Sequence, residues 1–277
     1  MALPPPSAST IVSEAVPDPL GLAVVLLGSA AYALGVHRLS ERGRAWPTGR
    51  SLAFAGAMLA FAVATLSGLA AYDTVLFSAH MVQHLLLGMV GPVLLVLARP
   101  LTLALQAGSR PTQVMLLRAL HHPVVRTLAR PGVTFVAFAL TLWLLYFTPL
   151  YDLSLRNDVV HLLVHAHFVT VGVLFYGTVL ATDPRPHEPG PPTRVGLSFL
   201  ALPAHAFLGI ALLTGTSLLG PDARPSWLDD PLADQRLGAG LLLSVGELLG
   251  LAVLLAVVWS WMGAEDRAAD RERRAAA

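Results

Sequence analysis

Long, nearly unbroken apolar runs alternate along this chain with short breaks rich in proline, glycine and arginine. A helix crossing the hydrocarbon core of a bilayer takes about 20 mostly apolar residues. Seven segments carry that pattern: Leu20–Val36, Ser51–Tyr72, Leu76–Ala98, Val133–Phe147, Val159–Leu180, Val195–Leu213 and Leu237–Trp261. The first and fourth are short, which predicts differences in tilt or local thinning of the bilayer. Breaks such as Arg42–Arg50 and Asp183–Pro192 hold residues that turn a chain instead of extending a helix. The short alternating segments of a closed β-barrel are absent. The expected fold is all-α, a polytopic membrane bundle of seven transmembrane helices over residues 20–262.

Composition agrees. Of the 277 residues 55% are apolar and 13% charged, against roughly 25% charged in a soluble domain. So few charges cannot cover a water-facing surface, and the main partner is the lipid bilayer. The apolar content excludes disorder, and the absence of cysteine excludes a disulfide scaffold or a thiolate metal site. A net charge of +1 gives no overall basic signal for nucleic acid.

The basic residues, all arginine, set an expected orientation. Fifteen of the eighteen fall after the first, third, fifth and seventh segments, and only Arg156, Arg224 and Arg236 fall on the other side. The positive-inside rule then places the N-terminus outside and the C-terminus in the cytoplasm. Residues 1–19, without Lys or Arg, read as an unstructured external leader and not as a cleaved signal peptide. Residues 263–277 read as a basic cytoplasmic tail. In the cytoplasmic loop 99–131, Val114, Leu117, Leu120, Val124 and Leu128 alternate with Arg118, Arg126 and Arg130, the pattern of amphipathic turns lying among headgroups.

Chemistry should reside in polar residues that are costly to bury. The third segment carries His80 and His84, and the fifth carries His161 and His165. Residues four apart lie on one helix face about 6 Å apart along the axis, so each pair can converge on one point. Both pairs lie near the outer ends of their segments. His205, eight residues before Leu213, adds a fifth imidazole at similar depth. Neutral imidazole suits copper, zinc, iron or nickel. The expected metal ligands are therefore His80, His84, His161, His165 and His205. Met81 lies one residue off the His80 face, and His167 points away from His165.

Other residues qualify the picture. Glu247 is the only acid deep in a segment and could carry a proton, orient a histidine or pair locally. Asp73, Asp158 and Asp234 stand at outer ends of segments, where they would cap helices or gather cations. Asp158 is the one carboxylate expected within a turn or two of the histidine pairs, which weighs against a zinc hydrolase needing a placed base. Adjacent i, i+4 pairs suit a compact ion better than a haem held between facing helices, the arrangement of a haem-bearing oxidoreductase. A copper transporter would need polar residues through to the inner leaflet, yet Leu85–Leu97 is apolar or small.

The run Phe77-Ser78-Ala79-His80-Met81-Val82-Gln83-His84-Leu85-Leu86-Leu87, with Pro92 and Arg99-Pro100 after it, resembles the signature of a known family. That family is the multi-span CtaG-like assembly factors of caa3-type cytochrome c oxidase. Pro149-Leu150-Tyr151, His161, His165 and Phe168, His205-Ala206-Phe207-Leu208-Gly209 and Asp234 to Gly240 continue the similarity in order. The family commonly has Trp-His where this chain has Tyr146-Phe147, and Glu-His where it has Val164-His165. The resemblance implies a non-enzymatic, multi-pass protein of a bacterial plasma membrane with cytochrome c oxidase subunits as partners. It puts copper ahead of zinc as the ion bound and handed on.

Overall fold

The structure is a computed structural model, and it describes residues 3–7, 9–10, 14–15, 18–220 and 225–276. Part of residues 1–19, expected to be an external leader, and Arg224 fall outside these residues. Helix α1 spans Pro19–Glu41, α2 Thr48–Leu66 and the short α3 Leu69–Tyr72. Helix α4 (Phe77–Leu85) continues through a π-turn, Leu86–Val90, into α5 (Gly91–Leu97). Three short helices follow, α6 (Pro100–Ala107), α7 (Arg110–Leu120) and α8 (Pro123–Leu128). Then come α9 (Pro131–Tyr146), α10 (Leu150–Arg156), α11 (Asp158–Leu180) and α12 (Pro191–Thr214). Helix α13 (Pro231–Leu241) passes through a second π-turn, Leu242–Gly246, into α14 (Glu247–Ala276). No strand occurs among the described residues.

Among the described residues six helices are long and apolar enough to cross a membrane, and α9 with α10 makes a seventh if that pair, bent by 71°, is one span. The bend falls at Pro149, which disfavours helical geometry for Thr148 before it. Helix α1 is not short. Asp18 caps it by accepting from Leu20 N at 3.0 Å, and the helix runs past the apolar stretch through Arg38 to Glu41.

The α4–α5 span is the hub. Two-thirds of its apolar window (67%) is buried inside the protein, against 6% for α1, which faces outward along most of its length. Helix α4 packs on α13, and α5 on α2 and α11. Such a central helix can carry polar side chains only if neighbours satisfy them. Gln83, fully buried, donates to the Ala64 carbonyl at 2.8 Å. The start of α4 is capped from another helix: Asp234 of α13 accepts from Phe77 N at 2.7 Å and from the Ser78 hydroxyl. Asp230 caps α13 itself, accepting from Ala233 N at 2.9 Å. Asp183 repeats the device at α6, accepting from Thr102 N at 2.9 Å.

Small residues let these helices approach, as is usual where lipid supplies no hydrophobic drive for association. A Cβ at Gly172 of α11 would stand 2.4 Å from the Gly88 carbonyl oxygen and 2.7 Å from the Pro92 ring. A Cβ at Gly238 would meet Phe77 at 2.7 Å. The first contact seats α11 against the π-turn just below His84, and so fixes how the two histidine pairs face each other. Beyond α11, Ala181 adopts the left-handed conformation at φ 49°. Arg194 of α12 closes that helix end by donating to Val179 O at 2.6 Å and Leu180 O at 3.1 Å.

Candidate functional site

Four of the five expected histidines meet at one place. Within α4 the rings of His80 and His84 lie 3.9 Å apart, and within α11 those of His161 and His165 lie 4.2 Å apart. Across the helix pair, His80 faces His161 at 6.2 Å and His84 faces His165 at 6.3 Å. The i, i+4 spacing on each helix accounts for the short edges, and the close packing of α11 on the hub accounts for the long ones. His80 is fully buried and His84 is 3% exposed.

A carboxylate joins them. Asp73, 2% exposed at the end of α3, places Oδ2 2.9 Å from His161 Nε2 and 4.0 Å from His165 Nε2. One ligand atom from each of Asp73, His161 and His165 lies within 4.8 Å of the others. This corrects the expectation that Asp158 is the nearest carboxylate. Asp158 opens the first turn of α11, whose cap is Asn157, accepting from Val159 N at 3.0 Å. Asp73 is brought in because the chain breaks after Leu66 and turns through α3 back toward α11. Hydropathy read that stretch as the continuing end of one span. The signal in the sequence is the position of Asp73 at the outer end of its segment, where an acid can gather cations.

Tyr146 completes the polar shell. Its buried hydroxyl stands 2.9 Å from His84 Nδ1 and donates to Met81 Sδ at 3.7 Å. That contact holds the His84 ring in place through Nδ1 and leaves Nε2 as the ring nitrogen without a protein partner. Where the family commonly has Trp-His this chain has Tyr146-Phe147, and Tyr146 holds a ring of the cluster through its hydroxyl.

His84 Nε2, His165 Nε2 and Asp73 Oδ1 are buried without a hydrogen-bond partner in the protein. Leaving a buried polar atom unsatisfied costs about 1–3 kcal/mol. Of these residues, Asp73 and His165 belong with His161 to the group whose donor atoms could hold a metal ion, and His84 faces His165 from the neighbouring helix.

His205 stands apart. Its ring packs 4.8 Å from that of Phe138, and its Nδ1–H donates to Ala201 O at 3.0 Å. It lines one cavity in common with His84. His167 turns away to Thr141, 3.0 Å from the hydroxyl. His187 reaches the Arg126 carbonyl at 2.9 Å, and His121 and His122 are exposed. Glu247 opens α14 directly after the second π-turn and lines a deeper cavity with His205.

Comparison with known proteins gives the family. The profile of the family described as cytochrome c oxidase caa3 assembly factor (Caa3_CtaG) matches residues 30–264. Uncharacterized proteins of Mycobacterium bovis and Mycobacterium tuberculosis are each 39% identical over 266 residues, 92% of this chain and 40% of theirs. One from Mycobacterium leprae is 35% identical over the same span. The chain thus spans well under half the length of these relatives. No solved structure matches the chain at a significant level. With six to seven helices long and apolar enough to cross a membrane and a family match over most of its length, the chain belongs to the caa3-type cytochrome c oxidase assembly factors.

Proposed function

We propose that this protein holds copper transiently at His80, His84, His161, His165 and Asp73 and passes it to a metal centre of the oxidase it helps assemble. Copper is cargo here, bound by exchangeable donors. The observation that carries the reading is the convergence of Asp73, His161 and His165 donor atoms within 4.8 Å, backed by a second histidine pair facing them. A metal–nitrogen bond of about 2 Å, extended to the ring centre, separates opposed imidazole centres by about 6 Å. The 6.2 and 6.3 Å separations between α4 and α11 suit that geometry. Tyr146 then does what hydrogen-bond partners of metal-bound histidines generally do, fixing ring orientation.

The distribution of arginines supports a site facing the exterior, with the N-terminus outside and the plasma membrane of a bacterium as the setting. Ligands limited to imidazole and carboxylate suit release better than thiolates would. The role is non-enzymatic: ion binding and handover need no bond cleavage in a substrate. His205 lies close enough to share a cavity with His84 and serves the same ion path.

Deleting the gene tests this directly. Oxidase activity in membranes should fall, and added copper or the wild-type gene should restore it, while a His161→Ala, His165→Ala copy should not. Undiminished oxidase activity in the deletion strain would refute the reading.

A further inference from the structure

Below the four-ring cluster two small cavities follow one another. The upper, about 20 Å³, is lined by His84, Met89, Phe138 and His205. The lower, also about 20 Å³, is lined by Met89, His205, Tyr176, Ser198 and Glu247. Each has room for one water-sized occupant. Met89 and His205 form part of both walls, so the cavities make one column leading from His84 to Glu247.

Three donors face this column. The His205 Nδ1–H is held by Ala201 O at 3.0 Å, which leaves the Nε2 lone pair available. Met89 sits in the first π-turn, its sulfur 3.8 Å from where a Cβ would stand on Gly246 of the second. Glu247 follows that second π-turn, and its Oε1 is buried without a hydrogen-bond partner. Both π-turns therefore open onto the column, at positions where such irregularities commonly serve function. A buried carboxyl oxygen left without a partner is costly, and a bound cation would satisfy it. Imidazole, thioether and carboxylate together suit a late transition-metal ion, and the thioether favours copper(I).

We propose that Met89, His205 and Glu247 form a second copper station, one step deeper than the histidine–aspartate cluster and reached from it past His84. The direction of that passage rests on the proposed function, but the station itself does not. Its presence divides the ion path into two exchangeable holding points, which lets the outer cluster reload before the deeper ion leaves.

The test uses the full chain in lipid nanodiscs, loaded anaerobically with copper(I), desalted and assayed by elemental mass spectrometry. Wild type should retain two ions per chain, and Glu247→Gln and Met89→Leu one each. A His161→Ala, His165→Ala double variant should also retain one. Met89→Leu guards against a folding defect in Glu247→Gln, with folding checked by size exclusion. One ion in wild type, or two in both deep variants, overturns the second station. Two ions in the double histidine variant overturn the outer site and leave the deeper one standing. No bound copper in wild type overturns both.

Discussion

Asp73→Asn is the sharpest perturbation of the cluster. Asparagine keeps the size of the side chain and an oxygen that can accept from His161, and it removes one negative charge beside the rings. The distances of 2.9 and 4.0 Å to His161 and His165 put that charge within about 4 Å of any ion they share. At such a separation a unit pair is worth about 4 kcal/mol for an effective dielectric constant of about 20. The cost of keeping the carboxylate out of water opposes part of this. About 2–3 kcal/mol remains, a loss of roughly 100-fold in copper affinity. Competition against a chromogenic copper(I) chelator, on purified protein in nanodiscs, measures the dissociation constant. A thermal melt run alongside separates weakened binding from a weakened fold. An affinity within twofold of wild type, with the fold intact, would refute the placement of Asp73 in the ligand set.

Three further outcomes follow from the same geometry. Tyr146→Phe removes the hydroxyl 2.9 Å from His84 Nδ1, so copper should bind about 10-fold more weakly, within the range for partners of metal-bound histidines, with little change in melting temperature. In Gly172→Ala the new Cβ would stand 2.4 Å from the Gly88 carbonyl oxygen; the backbone there yields poorly, and about 1–3 kcal/mol of stability should be lost in a detergent melt. That variant should lose copper as well, because α11 carries His161 and His165. Ala181→Gly relieves a left-handed residue at φ 49° and should stabilise the protein by about 1 kcal/mol, seen as a higher midpoint with unchanged metal content.

Much of this molecule is readable from residue order alone. Apolar runs about 20 residues long have one stable solution in lipid, a helix that satisfies its own backbone. The two histidine pairs share helix faces for an equally local reason, because four residues make slightly more than one turn. These features depend on neighbours in sequence. The limits of that reading show at Leu66, where hydropathy runs on but the helix breaks, and at Tyr146, whose contact with His84 no spacing in the chain announces.

Local pattern says which face of a helix is polar, and not which helix that face will meet. Whether α4 and α11 oppose their histidines depended on the close fit of Gly172 against Gly88, a contact between residues 84 positions apart in the chain. Asp73 and Asp234 behave alike in this respect. Each lies at the margin of an apolar run, where sequence reading offers a local cap or a cation-gathering charge, and each turns toward a distant element. Asp73 went to the histidines and Asp234 to the start of α4. The physical reason is common to both. In a low-dielectric interior a carboxylate takes the nearest array of donors in space, and helix packing, not chain order, supplies it.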